Sequence, residues 1–148
     1  MGKVCVVTGG GSGMGLAAAK FMPKDRIIVV SGRTESKLTK AVEELKEAGF
    51  EAYAKSCDTS KRESVKALAE YAASLGEIIN VIHAAGVSPA MNVTMEDILR
   101  INALGTVYVN QEFAKLMHKG SVIIDIASMS AYAMPELMLP KKAYPLAE

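Results

Sequence analysis

Glycines at positions 9, 10, 11, 13 and 15 follow the apolar run Val4-Cys5-Val6-Val7 and Thr8. They precede Leu16-Ala17-Ala18-Ala19-Lys20-Phe21, which is good helix-forming sequence. A strand, a glycine turn and a helix start in that order aim several backbone N–H groups and the positive end of a helix dipole at one spot. That spot suits a phosphate. Glycine serves there because a side chain would obstruct a tight turn, close approach of backbone to a pyrophosphate, or helix–strand packing. An ordinary turn is the other reading of such a cluster taken alone, so the rest of the chain has to decide.

The elements that would position this turn alternate along the chain. Arg26 to Ser31 (RIIVVS) is a continuous β-branched run, the pattern of a strand covered on both faces. Thr34 is a candidate N-cap for a helix whose apolar residues are Leu38, Ala41, Val42 and Leu45, with Gly49 placed to end it. Glu51 to Ser56 reads as a third strand. Ser60 and Glu63 have the spacing of a capping box ahead of the stripe Val65, Leu68, Ala72 and Leu75, which Gly76 closes. Ile78 to His83 is the fourth strand, and Pro89 lies in the loop after it. Thr94 opens a long helix to about Met117, Gly120 breaks it, and Ser121 to Ala127 is the fifth strand. Strands alternating with helices imply a parallel sheet with right-handed crossovers, hence a doubly wound α/β fold of three layers.

Composition narrows the function classes. The chain has 148 residues, 50% apolar and 22% charged, with a formal net charge of +1. This size allows one domain, residues 1–148, with a real core. Its balance excludes a disordered chain and gives no electrostatic case for nucleic acid or an acidic membrane surface. Cys5 and Cys57 lie in or beside apolar strand-like runs and read as buried free thiols in a reducing compartment. No signal peptide, bilayer-spanning run or metal-ligand cluster is expected. Met1-Gly2 looks like a myristoylation start, but Val6 stands where Ser or Thr is wanted. A cytoplasmic location is the default expectation.

The spacing Thr8-Gly9-x-x-x-Gly13-x-Gly15 resembles the T-G-x-x-x-G-x-G cofactor motif of the short-chain dehydrogenase/reductase family. The resemblance covers about residues 1 to 131 and implies a Rossmann fold of strand order 3-2-1-4-5. It places the ligand crevice at the carboxyl ends of strands 1 and 4. After strand 2, Ser31-Gly32-Arg33-Thr34 has no carboxylate to accept from an adenosine ribose, and has a guanidinium able to pair with a 2′-phosphate. That favours NADP(H) over NAD(H); the other reading of Arg33 is a solvated charge at a helix start. Ser12 would donate to the same phosphate. Asp58 matches the family's contact to the adenine edge, or caps the following helix. His83-Ala84-Ala85-Gly86 stands where N-N-A-G is common, so Ala84, Ala85 and Gly86 would pass close to the cofactor ribose. His83 replaces the first Asn and is read as structural, bonding neighbouring backbone. With Gly9, Gly13, Met14 and Gly15, these residues make the expected cofactor site.

The resemblance further implies reaction residues. Asn102, in Asn102-Ala103-Leu104-Gly105, matches the family's N-x-x-G, whose Asn kinks its helix and serves the proton relay. Ser128, in Ile126-Ala127-Ser128, matches the Ser that hydrogen-bonds the substrate carbonyl or hydroxyl; Ser130 is a weaker candidate. The family's Tyr-x-x-x-Lys fails to appear. Tyr144 is followed four residues on by Glu148, and Tyr132 by Glu136. A carboxylate there would raise the phenol pKa rather than lower it. Tyr144 remains a candidate acid/base. Residues 131–148, with Pro135, Pro140 and Pro145, read as an irregular loop interrupted before the catalytic helix, the carboxyl-terminal strands missing. Strand 5 would then be an unpaired edge, favouring a homo-oligomer. The expected function is NADP(H)-dependent hydride transfer to or from a small carbonyl/alcohol substrate. The alternative is a truncated or non-catalytic dinucleotide-binding protein.

Overall fold

Runs of β-branched residues favour strands packed on both faces, as residues 3–8, 26–32 and 77–83 are, and the two other expected strands form beside them with fewer buried positions. The computed structural model describes residues 2–129. In chain order the elements are β1 (Lys3–Thr8), α1 (Gly13–Lys20), β2 (Arg26–Gly32), α2 (Glu35–Glu47), β3 (Glu51–Ser56), α3 (Arg62–Leu75) and β4 (Glu77–His83). A 3₁₀ turn (Pro89–Met91), α4 (Met95–Ile98), a π-helical stretch (Leu99–Leu104), α5 (Gly105–Ala114) and β5 (Val122–Asp125) follow. The sheet has the order β3-β2-β1-β4-β5, as expected, and every pairing is parallel.

Two cores lie on opposite sheet faces. Val4, Val6, Val29 and Val81 pack with Val65, Leu68 and Ala72 of α3 and with Val109 and Phe113 of α5. Cys5, Val7, Ile28, Val30 and Ile82 pack with Ala19 of α1 and with Leu38, Ala41 and Leu45 of α2. Each fully buried aliphatic or aromatic side chain contributes about 1.5–3 kcal/mol relative to exposure. One irregularity interrupts the β1–β4 register. Val4 pairs with Ile78 but Cys5 with Asn80, so Ile79 is an extra residue in β4.

Local signals explain most element ends. Gly49 adopts φ +84° after α2. Its amide donates to Lys46 O at 2.9 Å and that of Phe50 to Leu45 O at 3.0 Å, the paired bonds of a Schellman motif, with buried Phe50 as its apolar anchor. Thr94 caps α4 reciprocally: its Oγ1 accepts from the Asp97 amide and Asp97 Oδ2 accepts from the Thr94 amide, both at 3.1 Å.

Three expectations need correction. Ser60 forms no capping box; the N-cap of α3 is Lys61, and Asp58 Oδ1 takes both the Ser60 hydroxyl (2.7 Å) and its amide (3.1 Å). A carboxylate two residues away outcompetes the helix end for that hydroxyl. Thr34 does occupy the N-cap of α2, but its hydroxyl makes no cap bond. The long helix from Thr94 is not uniformly α: it widens to π geometry at Leu99–Leu104, and α5 ends at Ala114. Beyond it Leu116 N and Met117 N both turn to Phe113 O, tightening the chain toward β5.

Glu112, buried on α5, is bracketed by Arg62 Nε at 2.7 Å and Lys115 Nζ at 2.6 Å. Bonds from Lys115 and Arg62 hold its carboxyl below the ordinary carboxylate range. Among the described residues β5 pairs with β4 alone, and Val122, Ile124 and Ile126 stay 44–48% exposed. Phe113 is fully buried where α5 meets α3 and the sheet. Phe113→Ala is expected to destabilise the fold by about 3–5 kcal/mol, read as a lower urea midpoint.

Candidate functional site

The carboxyl ends of β1, β2 and β4 open into a cleft of about 340 Å³. Its first wall is the turn from β1 into α1. Gly9 there has φ +66°, and a Cβ on it would stand 2.8 Å from the carbonyl carbon and oxygen of Ala84 and from the nitrogen of Ala85. A Cβ on Gly15 would stand 2.5 Å from Gly9 O. Both positions therefore require glycine, for conformation at the first and for close approach at both. The turn ends at Ser12, the N-cap of α1, whose side chain makes no cap bond. The first-turn amides of α1 have no intrahelical acceptor, so they and the dipole present positive potential to the cleft.

The second wall is the end of β2. Ser31 Oγ is buried with no hydrogen-bond partner among the described residues, and Ser31, Gly32, Arg33 and Thr34 line the cleft. Arg33 is exposed and forms no ion pair among the described residues. Hydrogen bonds from Thr94 hold the Asp97 carboxyl below its usual range, with smaller pulls from Arg100 and from Arg33. Cys57, Asp58 and Thr59 complete this side. The Cys57 thiol is pushed up by burial, so it is an inert apolar contact there. Asp58 Oδ1 is occupied by Ser60, and its main-chain N donates to Ser64 Oγ at 3.0 Å, so the role its bonds show is holding the turn before α3.

The third wall is Ala84 to Val87. Asn102 projects from the π-helical stretch and grips Val87 twice, Oδ1 accepting from its N–H at 2.9 Å and Nδ2 donating to its carbonyl at 2.7 Å. The wider π turn brings this side chain to the loop, a recurrent use of π geometry at functional sites. His83 is 3% exposed and structural, as read, but its partners differ from the expectation. Its ring bonds the side chains of Thr8 and Thr106, not neighbouring backbone. Nearby main-chain groups are taken by the sheet ladder: Ala84 N donates to Thr8 O and Ile126 N to His83 O.

Of the expected cofactor residues, Gly9, Ser12, Met14, Gly15, Arg33, Asp58, Ala84, Ala85 and Gly86 share this cleft. Gly13 opens α1 with φ +57° and lies just outside the lining. Asn102 acts on the cleft through Val87. Ser128 is exposed beyond β5 and does not line it. Ser130, Tyr132 and Tyr144 lie outside the described residues. Sequence reasoning did not assign Thr8, Gly11, Ser31, Lys37, Leu38, Thr59, Met91 and Ile101 to the lining, or Thr106 behind it. Ser31 carried a signal, a hydroxyl ending an otherwise aliphatic run. Among the described residues there is no cluster of His, Cys, Asp or Glu able to hold a metal ion, and no helix long and apolar enough to cross a membrane.

A cleft walled by a glycine turn, a helix N-terminus and small residues at the switch point of a 3-2-1-4-5 sheet is the geometry of a dinucleotide site. A family model described as short chain dehydrogenase matches residues 3–140. The chain belongs to that family. A short-chain dehydrogenase/reductase of Alternaria brassicicola, bsc3, is 30% identical over 136 residues, covering 92% of this chain and 49% of the relative. A 7alpha-hydroxysteroid dehydrogenase of Escherichia coli is 33% identical over 139 residues, covering 88% of this chain and 54% of that protein. The chain thus spans about half the length of the curated short-chain dehydrogenases it matches. Among solved structures, a citronellol catabolism dehydrogenase of Pseudomonas aeruginosa (AtuB) superposes with TM-score 0.78 at 30% identity, covering 90% of this chain and 59% of that one. An actinorhodin polyketide ketoreductase variant with NADPH gives TM-score 0.76 at 26% identity, covering 88% and 54%.

The double grip on Val87 gives a test of this short-chain dehydrogenase wall that needs no ligand. Asn102→Ala removes both bonds, and amide hydrogen exchange at Val87 is expected to quicken about fivefold or more, with α2 and β2 unchanged.

Proposed function

We propose that this chain supplies the cofactor-binding part of an NADP(H)-dependent oxidoreductase that moves hydride between the nicotinamide and a small carbonyl or alcohol. The carrying observation is Arg33, a guanidinium without an ion-pair partner among the described residues, at a cleft edge where β2 ends without a carboxylate. The residues fit the group: Gly9 and Gly15 leave a cradle that a Cβ would fill, and amides of the α1 first turn border it. Bound NADP(H) supplies the hydride donor or acceptor.

The chain's own residues bind and orient. Main-chain amides of the turn and of Gly13, Met14 and Gly15 receive the diphosphate, and Ser12 is an added donor to the 2′-phosphate. Arg33 pairs with the 2′-phosphate by a charge-assisted bond that a ribose hydroxyl cannot replace. Ala84, Ala85 and Gly86 leave room for the nicotinamide-side ribose, held there by Asn102 through Val87. Asp58 borders the adenine. Ser128 hydrogen-bonds the substrate oxygen, and Tyr144 is the acid/base candidate that moves the proton. Buried free Cys5 and Cys57 suit a reducing, cytoplasmic setting, and the half-exposed apolar residues of β5 suit a homo-oligomer.

A second reading, dinucleotide binding without turnover, is favoured by Glu148, which stands four residues after Tyr144 where a lysine would lower the phenol pKa. Oxidation of NADPH with a panel of carbonyl compounds separates the two, since turnover excludes the second. The cofactor reading is tested by titrating NADP⁺ and NAD⁺. Arg33→Ala is expected to weaken NADP⁺ binding about 10- to 100-fold and NAD⁺ binding less than about twofold. Equal losses for both nucleotides would remove the 2′-phosphate contact.

A further inference from the structure

Behind the Ala84–Val87 wall lies a hydrogen-bonded circuit whose proton positions follow from counting donors. Thr106 Oγ1 lies 2.8 Å from the Asn102 carbonyl oxygen. A carbonyl only accepts, so the single hydroxyl proton of Thr106 points there. The same Oγ1 lies 3.1 Å from His83 Nε2, and with its proton already given it can only accept. Nε2 therefore carries hydrogen. A neutral imidazole then has a bare Nδ1, 2.7 Å from Thr8 Oγ1, so Thr8 donates to it. Thr8 Oγ1 in turn accepts the Ala85 amide at 3.2 Å.

The circuit reads Ala85 N–H to Thr8, Thr8 O–H to His83, His83 Nε2–H to Thr106, and Thr106 O–H to Asn102. Asn102 closes it by gripping Val87. One imidazole thus ties both ends of the Ala85–Val87 segment to β1 and to the π-helical stretch. We propose that His83, as the neutral imidazole with hydrogen on Nε2, is a positioning residue that sets this wall, so that nucleotide affinity falls when His83 is protonated. The proposal rests on reading the cleft as a nucleotide site.

Protonation changes the count. Nδ1 becomes a donor, and Thr8 Oγ1 then faces two donors, Nδ1–H and the Ala85 N–H. Its own proton has no acceptor left in the circuit, and Thr8 is fully buried, so water does not supply one. Moving Ala85 away relieves this, and Ala85 belongs to the wall packed against Gly9. Of charged groups, Asp125 of β5 acts on the ring; β1 and α5 present it the hydroxyls of Thr8 and Thr106. The Asp125 carboxylate is engaged by Asn110 Nδ2 at 3.0 and 3.1 Å. Burial pulls the His83 pKa below the ordinary histidine value, and Asp125 opposes it more weakly, so the neutral form holds at neutral pH. With the folded pKa depressed, the contribution to stability is complete above about pH 6.5 and is lost as pH falls through the folded value.

The test measures Kd for NAD⁺ and NADP⁺ at about pH 7.5 and about pH 5 in the wild type and in His83→Asn, which offers a donor and an acceptor but does not titrate. NAD⁺ is needed because a phosphate monoester such as the 2′-phosphate itself titrates near pH 6. The wild type is expected to lose NAD⁺ affinity over the pH range in which the His83 ring gains its second proton, and His83→Asn to change less than about twofold. In parallel, ¹⁵N NMR of the unliganded wild type reads the ring directly, and hydrogen on Nε2 with a bare Nδ1 is expected at pH 7.5. A flat wild-type NAD⁺ profile, an unchanged profile in His83→Asn, or hydrogen on Nδ1 overturns the proposal while leaving the cofactor site intact. Failure of both nucleotides to bind folded wild type at either pH overturns the cofactor reading and this proposal with it. Should His83→Asn not fold, the wild-type profile and the tautomer decide.

Discussion

The structure depends on a crossing of bare backbone at Gly9. Three segments meet there: the β1–α1 turn, the first turn of α1 at Gly15, and the chain leaving β4 at Ala84. Their approach leaves no room for a Cβ at Gly9 or Gly15. This contact sets how far α1 leans over the sheet and how near the Ala84–Val87 wall stands to the phosphate turn. The cleft is therefore a product of absent side chains. Its polar character comes from main-chain amides that the same turn leaves without intrahelical partners.

Around that crossing the two apolar faces act as a rigid mount. Residues of β1 alternate between the α3–α5 core and the α1–α2 core, so a displacement of β1 toward one side would open the other. Close-packed interiors resist such shifts. The polar groups sit beyond the last apolar pair, Val7 with Ile82, at Thr8 and His83. The sheet thus changes from packing to chemistry within one residue, at the strand ends where open parallel sheets bind ligands.

Much of this was legible because the signals were local. The run RIIVVS, the glycine spacing and Gly49 after a helical stripe each encode their structure within a few residues, and all form as read. The failures share a different cause. The spacing of Ser60 and Glu63 fits a capping box, but the competing Asp58 carboxylate lies outside that spacing. The π widening at Leu99–Leu104 has no period of its own in the sequence. His83 was read as structural, yet its partners are 75 and 23 residues away, and neither distance is visible until the strands are paired. The cleft lining follows the same rule: residues beside a motif were found, while Met91 and Ile101, brought in by the chain after β4, were not.

The extra residue in β4 has a consequence of another kind. Ile78 and Val81 pack into the same core although they are an odd number of positions apart, because Ile79 resets the pleat between them. Only through that half-step does the ring at 83, and not the aliphatic chain at 82, come to stand beside Thr8 and beneath Thr106. Ile79 is thus spare in the count: deleting it would pair Ile78 and Asn80 with Val4 and Cys5 on an unbroken pleat and leave every later group of β4 in phase, whereas drawing it into the ladder with no bulge would turn those groups inside out.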